Sequence, residues 1–386
     1  MEPVYLDHNA TTPLDPRARE AMLPWLGERW GNPSSIHRAG QVAREAVEQA
    51  RTEVAALLGA DPLDLVFTAS GTEANNTVVF GLAAAAEFRG HVVLSSLEHP
   101  AIRVAVEKIE AQGLRVTRVA PGADGVVSAE RFVAALEPDT RFAALMLANN
   151  EVGTLQPVAE VAAACRARGV ALLCDAVQAV GKIPVDVAAL GVDYLVLGGH
   201  KFYGPLGAAA LWVRRGAPFE AYLLGGSQER RRRAGTENVP ALVGLGAACR
   251  VARLELADRA AHLRALRDAF EAGLAAIPDA VVHAAHAPRL PQTSHVAFLG
   301  VEGEALLVRL DLAGFAVSTG SACSSGVVQP SKMLLAMGID PREALSSLRI
   351  SFGVGNTRDE VDRFLAVLGR EVAALRALEE PRRASA

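Results

Sequence analysis

Between Leu65 and Val213 short apolar runs alternate with helical patterns, and this alternation restricts the possible folds more than any other feature. The runs Leu65–Thr68, Val92–Ser95, Arg115–Val119, Ala143–Ala148, Ala171–Cys174, Tyr194–Leu197 and Gly207–Val213 read as strands. Helical spacing fills the gaps from the turn Ala69–Asn76 to about Ala86, and over Ala101 to Gln112, Ser128 to Leu136 and Val158 to Arg168. Alternation of this kind predicts an α/β domain with a largely parallel sheet. Active residues of such sheets gather where the strands end at their carboxyl side.

That rule selects candidates. Tyr194–Leu197 empties into Gly198-Gly199-His200-Lys201-Phe202-Tyr203-Gly204-Pro205, where the glycines and the Gly-Pro pair stop the strand and leave Lys201 at its exit. Partial desolvation of its stem disfavours the ammonium and leaves a neutral amine able to form a Schiff base. His99 follows the strand ending at Ser95, Asn149 and Asn150 follow the run to Ala148, and Asp175 follows Cys174 with Gln178 three residues on. The turn Ala69-Ser70-Gly71-Thr72 opens a helix, and free N–H groups at the positive end of a helix dipole suit a phosphate. Taken singly, each has a plainer reading as a surface lysine, a turn or a helix cap. Their shared position at strand ends favours a site.

A chain of 386 residues with 51% hydrophobic and 21% charged residues supports a large core and more than one domain. The composition shifts around Gly273 to Pro278, which reads as the entry to a second, smaller α/β domain. The expected division is a large cofactor-binding domain over 14–258 and a small domain made of 1–13 with 259–386. A net charge of −4 gives no global positive field for nucleic acid or an anionic membrane, and the basic run Arg230 to Arg233 reads as a solvated loop. The N-terminus has acids where a secretory signal needs basic residues, and the uncharged stretch Ala313 to Ser331 is too broken to span a bilayer.

Four cysteines lie far apart with no Cys-x-x-Cys pair, which points to free thiols in a reducing cytoplasm. Cys165, Cys174 and Cys249 sit in apolar contexts and read as core. Cys323 stands in the small, polar run Thr319 to Gly326, so a flexible loop with an accessible thiol is expected. Ser347 to Phe352 alternates like a strand that presents Arg349, a side chain shaped to clamp a carboxylate; a surface ion pair is the competing explanation. Thr357 and Glu360 form a capping box for a last helix to about Leu378.

Together these stretches resemble the cysteine desulfurases. The resemblance rests on Tyr5-Leu6-Asp7 with Ala10-Thr11-Thr12-Pro13, Phe67-Thr68-Ala69-Ser70-Gly71-Thr72-Glu73, Glu98-His99, Asn149-Asn150-Glu151-Val152-Gly153, Asp175-Ala176-Val177-Gln178, Gly199-His200-Lys201, Arg233-Ala234-Gly235-Thr236 and Ser321-Ala322-Cys323. It runs from about residue 4 to about residue 365 and implies the class V aminotransferase group with the fold type I architecture of pyridoxal-phosphate enzymes. The continuation to Pro330 is similar to the long-loop branch.

By this resemblance Lys201 would hold pyridoxal 5'-phosphate, Asp175 would pair with its ring nitrogen, and His99 would stack on the ring and transfer protons. Gln178 and Asn150 would bond the ring oxygen or the substrate, and Gly71, Thr72 and His200 would hold the phosphate. Thr236 would reach the phosphate of a neighbouring subunit, which implies a homodimer with shared active sites. Arg349 would hold the carboxylate of L-cysteine, and the thiolate of Cys323 would take its sulfur as a persulfide and leave L-alanine. No metal set is implied; Cys323 is at most a transient ligand of an iron–sulfur cluster. The sulfur would pass to an acceptor protein, for iron–sulfur cluster assembly or tRNA thiolation, without direct contact to nucleic acid. The family carries a serine where this chain has Gly198, so one phosphate hydroxyl is expected to be missing. Alternatives of the same chemistry are a selenocysteine lyase or cysteine sulfinate desulfinase. An alternative of another class is a catalytically silent partner of the same fold.

Overall fold

The computed structural model describes residues 3–320 and 329–384. In chain order the strands are β1 (Val4–Tyr5), β2 (Leu65–Thr68), β3 (His91–Ser95), β4 (Arg115–Val119), β5 (Thr140–Ala144) and β6 (Ala171–Asp175), then β7 (Tyr194–Gly198), β8 (Ala209–Val213), β9 (Ala280–Val282), β10 (Thr293–Phe298), β11 (Phe315–Ala316) and β12 (Ser347–Ser351). Seven of them form one sheet in the order β2-β8-β7-β6-β5-β3-β4. β8 is antiparallel to both neighbours, and the other pairings are parallel. Every strand of this sheet except β8 therefore ends on the same edge.

Helices cover both faces of the sheet, which is why β6 and β7 are near-continuous apolar runs rather than alternating ones. One face packs against Val47, Val54 and Leu58 of the helix Arg38–Leu58 and Leu242 and Leu245 of the helix Val239–Gly273. The other face meets Val78 and Leu82 of Gly71–Ala85 and Ile102, Val106 and Ile109 of Pro100–Glu110. The run Ala143–Ala148 is displaced from its expected strand: the ladder holds Thr140–Ala144. Beyond it, Leu145 and Leu147 still donate their N–H groups to the carbonyls of Leu173 and Asp175. The apolar content marked the extended segment, whereas the polar start Thr140-Arg141 concealed where pairing begins.

The helix Val239–Gly273, 35 residues long, leaves the first core and enters a second. There Leu263, Leu266 and Phe270 pack with Val296, Phe298, Leu348, Ile350 and Phe364 around the antiparallel sheet β12-β10-β9. β1 pairs in parallel with β11, so the N-terminal segment is tied to this second unit before it crosses to the large sheet. The last helix opens with the expected reciprocal cap, Glu360 N–H to Thr357 Oγ1 (3.3 Å) and Thr357 N–H to Glu360 Oε2 (3.0 Å), and runs past Leu378 to Ala384.

The basic run is not merely solvated. Glu229 beside it is buried and holds Arg51 through two hydrogen bonds of 2.9 and 2.7 Å while accepting the N–H of Phe67. Arg232 donates to the carbonyls of Leu63 and Leu65, and Arg233 pairs with Glu73. These anchors hold Glu229 and Arg230 at φ of 45° and 56°, a left-handed region costly for residues with a Cβ. Among the described residues no helix is long and apolar enough to cross a membrane.

Candidate active site

At Gly198 the buried strand β7 gives way to a single 3-10 turn, Gly199–Lys201. Gly204 closes that turn by approaching the Gly199 carbonyl so nearly that a Cβ would stand 2.8 Å from its oxygen. The N-terminal segment pins the turn from the other side. Thr12 N–H donates to the His200 carbonyl (2.9 Å), Tyr203 N–H donates to Thr12 Oγ1 (2.7 Å), and Asp15 N–H donates to the Tyr203 carbonyl (3.0 Å).

Lys201 Nζ donates to the carbonyls of Asn9 (2.8 Å) and Ala10 (2.6 Å). Among the described residues, these dipoles alone hold it. Burial, with Arg349 adding repulsion, pushes the ammonium down to about 8 against the opposing pull of Asp7 and Asp175.

A cavity of about 440 Å³ opens beside this amine at the carboxyl edge of the sheet. Asp175, the last residue of β6, is held at both oxygens: Asn75 Nδ2 donates to Oδ2 (2.8 Å) and Val177 N–H to Oδ1 (3.0 Å). His99 caps the helix Pro100–Glu110, its Nδ1 accepting from Ala101 N–H (3.1 Å), so the neutral ring carries its proton on Nε2. Desolvation lowers the His99 pKa, with Asp175 opposing and Lys201 assisting. His200 Nδ1 meets Thr11 Oγ1 at 3.0 Å, and burial, with the charges of Lys201 and Lys182, pushes this ring down to about 4.

Gly71 and Thr72 begin the helix Gly71–Ala85, where Ser70 Oγ accepts from Glu73 N–H (3.1 Å). The two earlier N–H groups, at Gly71 and Thr72, have no intrahelical partner. A Cβ on Gly71 would lie 2.9 Å from Val177, so glycine keeps this entrance open. Across the cavity Arg349 donates to Asp7 Oδ1 (2.6 Å) and the Asn150 carbonyl (2.9 Å), while its buried Nε has no partner among the described residues. Arg349 is thus an internal residue, and the surface-pair explanation fails.

The structure gathers nearly every expected residue into this one cavity. Gly71, Thr72, His99 and Asn150 line it. Asp175, Gln178, His200, Lys201 and Arg349 complete it. Thr236 does not line it, and lies exposed in the segment before Val239. Cys323 falls outside the described residues; Ser318 and Gly320, just before it in sequence, line the cavity. The other three cysteines are buried, with burial pushing each thiol upward, as their apolar contexts predict.

Residues 4–364 match the family Aminotransferase class-V. A cysteine desulfurase of Cereibacter sphaeroides is 44% identical over 381 residues, which is 98% of this chain and 98% of that protein. Another, from Trichormus azollae, is 41% identical over 379 residues, 98% of this chain and 95% of that one. The chain belongs to the cysteine desulfurases of the class-V aminotransferase family. In agreement, a solved NifS-like protein superimposes with a TM-score of 0.91 at 35% identity, covering 97% of this chain and 100% of its own.

Cysteine desulfurases are pyridoxal-phosphate enzymes, and the donor set here fits that group. Unpartnered N–H groups at a helix N-terminus suit its phosphate, a two-point-held carboxylate suits its ring nitrogen, and an amine near its neutral form suits its aldehyde. Three residues of the site escaped the sequence reading. Asn9 supplies the carbonyl shared by Lys201 and Gln178, and Asn75 orients Asp175. Lys182 donates to Gln178 Oε1 at 2.7 Å. Asn75 sits four residues after Gly71 on the helix Gly71–Ala85, a spacing that shares one helical face, whereas Lys182 follows Gln178 by four residues through turns.

Proposed function

We propose that this cysteine desulfurase binds pyridoxal 5'-phosphate at Lys201 and L-cysteine beside it, releases L-alanine and collects the sulfur as a persulfide on Cys323. The observation that carries the reading is the Lys201 amine, poised at about 8 and held, among the described residues, by the carbonyls of Asn9 and Ala10. Gly71, Thr72 and His200 would hold the phosphate, Asp175 the ring nitrogen, and Gln178 and Asn150 the ring oxygen or the substrate. When bound, the cofactor supplies an electron sink for charge left at the substrate Cα.

The protein's own groups do the rest. Arg349, whose guanidinium lines the cavity, takes the substrate carboxylate through its N–H groups. Lys201, as a neutral amine, accepts the Cα proton, and His99 presents Nε2–H for proton transfer. The Cys323 thiolate attacks the substrate sulfur: an S–S bond forms as the Cβ–S bond breaks, the electron pair stays with Cβ, and protonation there together with return of a proton to Cα yields alanine. The enzyme works as a homodimer in which Thr236 serves the partner's phosphate, and it passes sulfur to an acceptor protein in the cytoplasm. Its large domain spans 14–258 and its small domain 1–13 with 259–386.

The test is brief exposure of the holoenzyme to L-cysteine without reductant, followed by intact mass and amino-acid analysis. Alanine together with a gain of one sulfur atom mapped to Cys323 is expected. Alanine without the gain removes Cys323 from the mechanism. Neither product, with cofactor bound, overturns the desulfurase reading.

A further inference from the structure

Lys182 is only 6% exposed, and no acid pairs with it among the described residues. The charges it feels, Lys201 and Arg349, are both positive, and together with desolvation they push its ammonium well below the usual lysine range. His8, Tyr203 and Arg259 share a small cavity with it from three separate segments, none bringing a carboxylate. His8 is itself pushed down to about 4 by burial and by the charge of Lys182. A buried amine without a counter-ion costs stability, so its retention calls for a role beyond packing.

Its hydrogen bond supplies one. Lys182 Nζ lies 2.7 Å from Gln178 Oε1, and the other end of that amide lies 2.9 Å from the Asn9 carbonyl oxygen. A carbonyl only accepts, so Gln178 Nε2 faces Asn9 and Oε1 faces Lys182. Nε2 carries a second hydrogen, and Gln178 lines the cavity beside Lys201. Without a donor at Oε1 the amide would hold a buried unmet acceptor, and the direction of its second N–H would rest on the Asn9 contact alone instead of on two.

We propose that Lys182 is a positioning residue: by occupying Gln178 Oε1 it holds the amide with its second N–H toward the cavity, where it donates to the ring oxygen of bound pyridoxal phosphate. This rests on the cofactor reading above. A donor at that oxygen favours its deprotonated, anionic form.

The experiment titrates the visible absorption band of the bound cofactor against pH in the holoenzyme, in Lys182→Met, in Gln178→Ala and in the double variant. Lys182→Leu stands in if the Met protein does not fold. Loss of Lys182 is expected to raise the midpoint by about one pH unit, the worth of one hydrogen bond to a charged group. In the Gln178→Ala background the same loss is expected to move it by less than about a third as much. An unchanged midpoint in Lys182→Met overturns the proposal. So does an equal rise in both backgrounds, because Lys182 then acts by its charge and not through Gln178. If the unaltered protein develops no visible band with pyridoxal phosphate, the cofactor reading itself fails. A normal wild-type band with no effect of Lys182→Met sinks this inference alone.

Discussion

Lys201 and Gln178 meet at one atom, the carbonyl oxygen of Asn9, which accepts from Lys201 Nζ at 2.8 Å and from Gln178 Nε2 at 2.9 Å. Both of its lone pairs are then engaged, so the amine and the amide are held at a set separation. A carbonyl dipole offers less to an ammonium than a carboxylate would. Burial and Arg349 therefore dominate, and the amine sits at about 8.

A pH dependence of cofactor capture follows. Only the neutral amine attacks the aldehyde, so the rate at which apo-protein takes up pyridoxal phosphate is expected to climb about tenfold per pH unit below about 8 and to level off above it. Stopped-flow growth of the visible band reads this directly. A rate that stays flat from about pH 6 to about pH 9 would show that Lys201 is already neutral at the lower end.

Arg349 gives a second prediction. Its two terminal nitrogens are partly engaged by Asp7 and Asn150, which orients the plane of the guanidinium and leaves Nε–H free. Lysine keeps the charge and loses the fork. Arg349→Lys is expected to raise KM for L-cysteine by about tenfold to a hundredfold with a smaller change in kcat. A fall in kcat with KM unchanged would instead place Arg349 at the reacting atoms.

What the sequence made legible was whatever depends on chain direction. Asp175 ends β6, and His99 and Lys201 follow β3 and β7, so reading strand ends sufficed to collect them. Cys174 likewise declared itself core by lying inside an apolar run. Residues whose role depends on a partner distant in the chain stayed hidden. Glu229 looked like one acid beside a solvated basic run, because its partner Arg51 precedes it by 178 residues. Lys182 follows the Gln178 motif by four residues, yet its significance comes from what surrounds it in space: burial, Lys201 and Arg349. Thr236 is exposed and outside the cavity of its own chain, so a single subunit gives it no task.

Glu98, next to His99, yields a stability prediction. One oxygen accepts from Ser95 Oγ (2.6 Å) and Met146 N–H (2.8 Å), while Oε2 is buried without a partner among the described residues. Burial raises its pKa to about 8, with Asp175 adding repulsion, so the folded protein prefers the neutral acid. A raised carboxyl pKa contributes stability that is complete below the unfolded value, near 4.5, and is lost as pH rises to about 8. Glu98→Gln keeps an accepting oxygen and cannot ionise. Its melting temperature, measured against the parent, is expected to differ little near the lower limit and to exceed it increasingly toward the upper one. A constant difference across that window would mean that Glu98 is not the group that titrates.

The resemblance places a serine where this chain has Gly198, and the structure has room for that side chain. Gly198 lines the cavity at the end of β7 with φ −131° and ψ 121°, a conformation open to any residue. A Cβ there meets Val177 at 3.5 Å and His200 at 3.9 Å, both ordinary contacts. Gly198→Ser therefore fits without displacing the turn that carries Lys201. It also removes backbone freedom from the unfolded chain, so the fold is not expected to weaken. The added hydroxyl supplies a donor where the resemblance places a phosphate, and one hydrogen bond to a charged group corresponds to about a tenfold gain in affinity. Titration of the apo-variant with pyridoxal phosphate, followed by absorbance or fluorescence, is expected to show that tightening. Affinity equal to or below that of the parent would mean that the phosphate is already fully bonded by Gly71, Thr72 and His200, and that the glycine deprives the site of nothing.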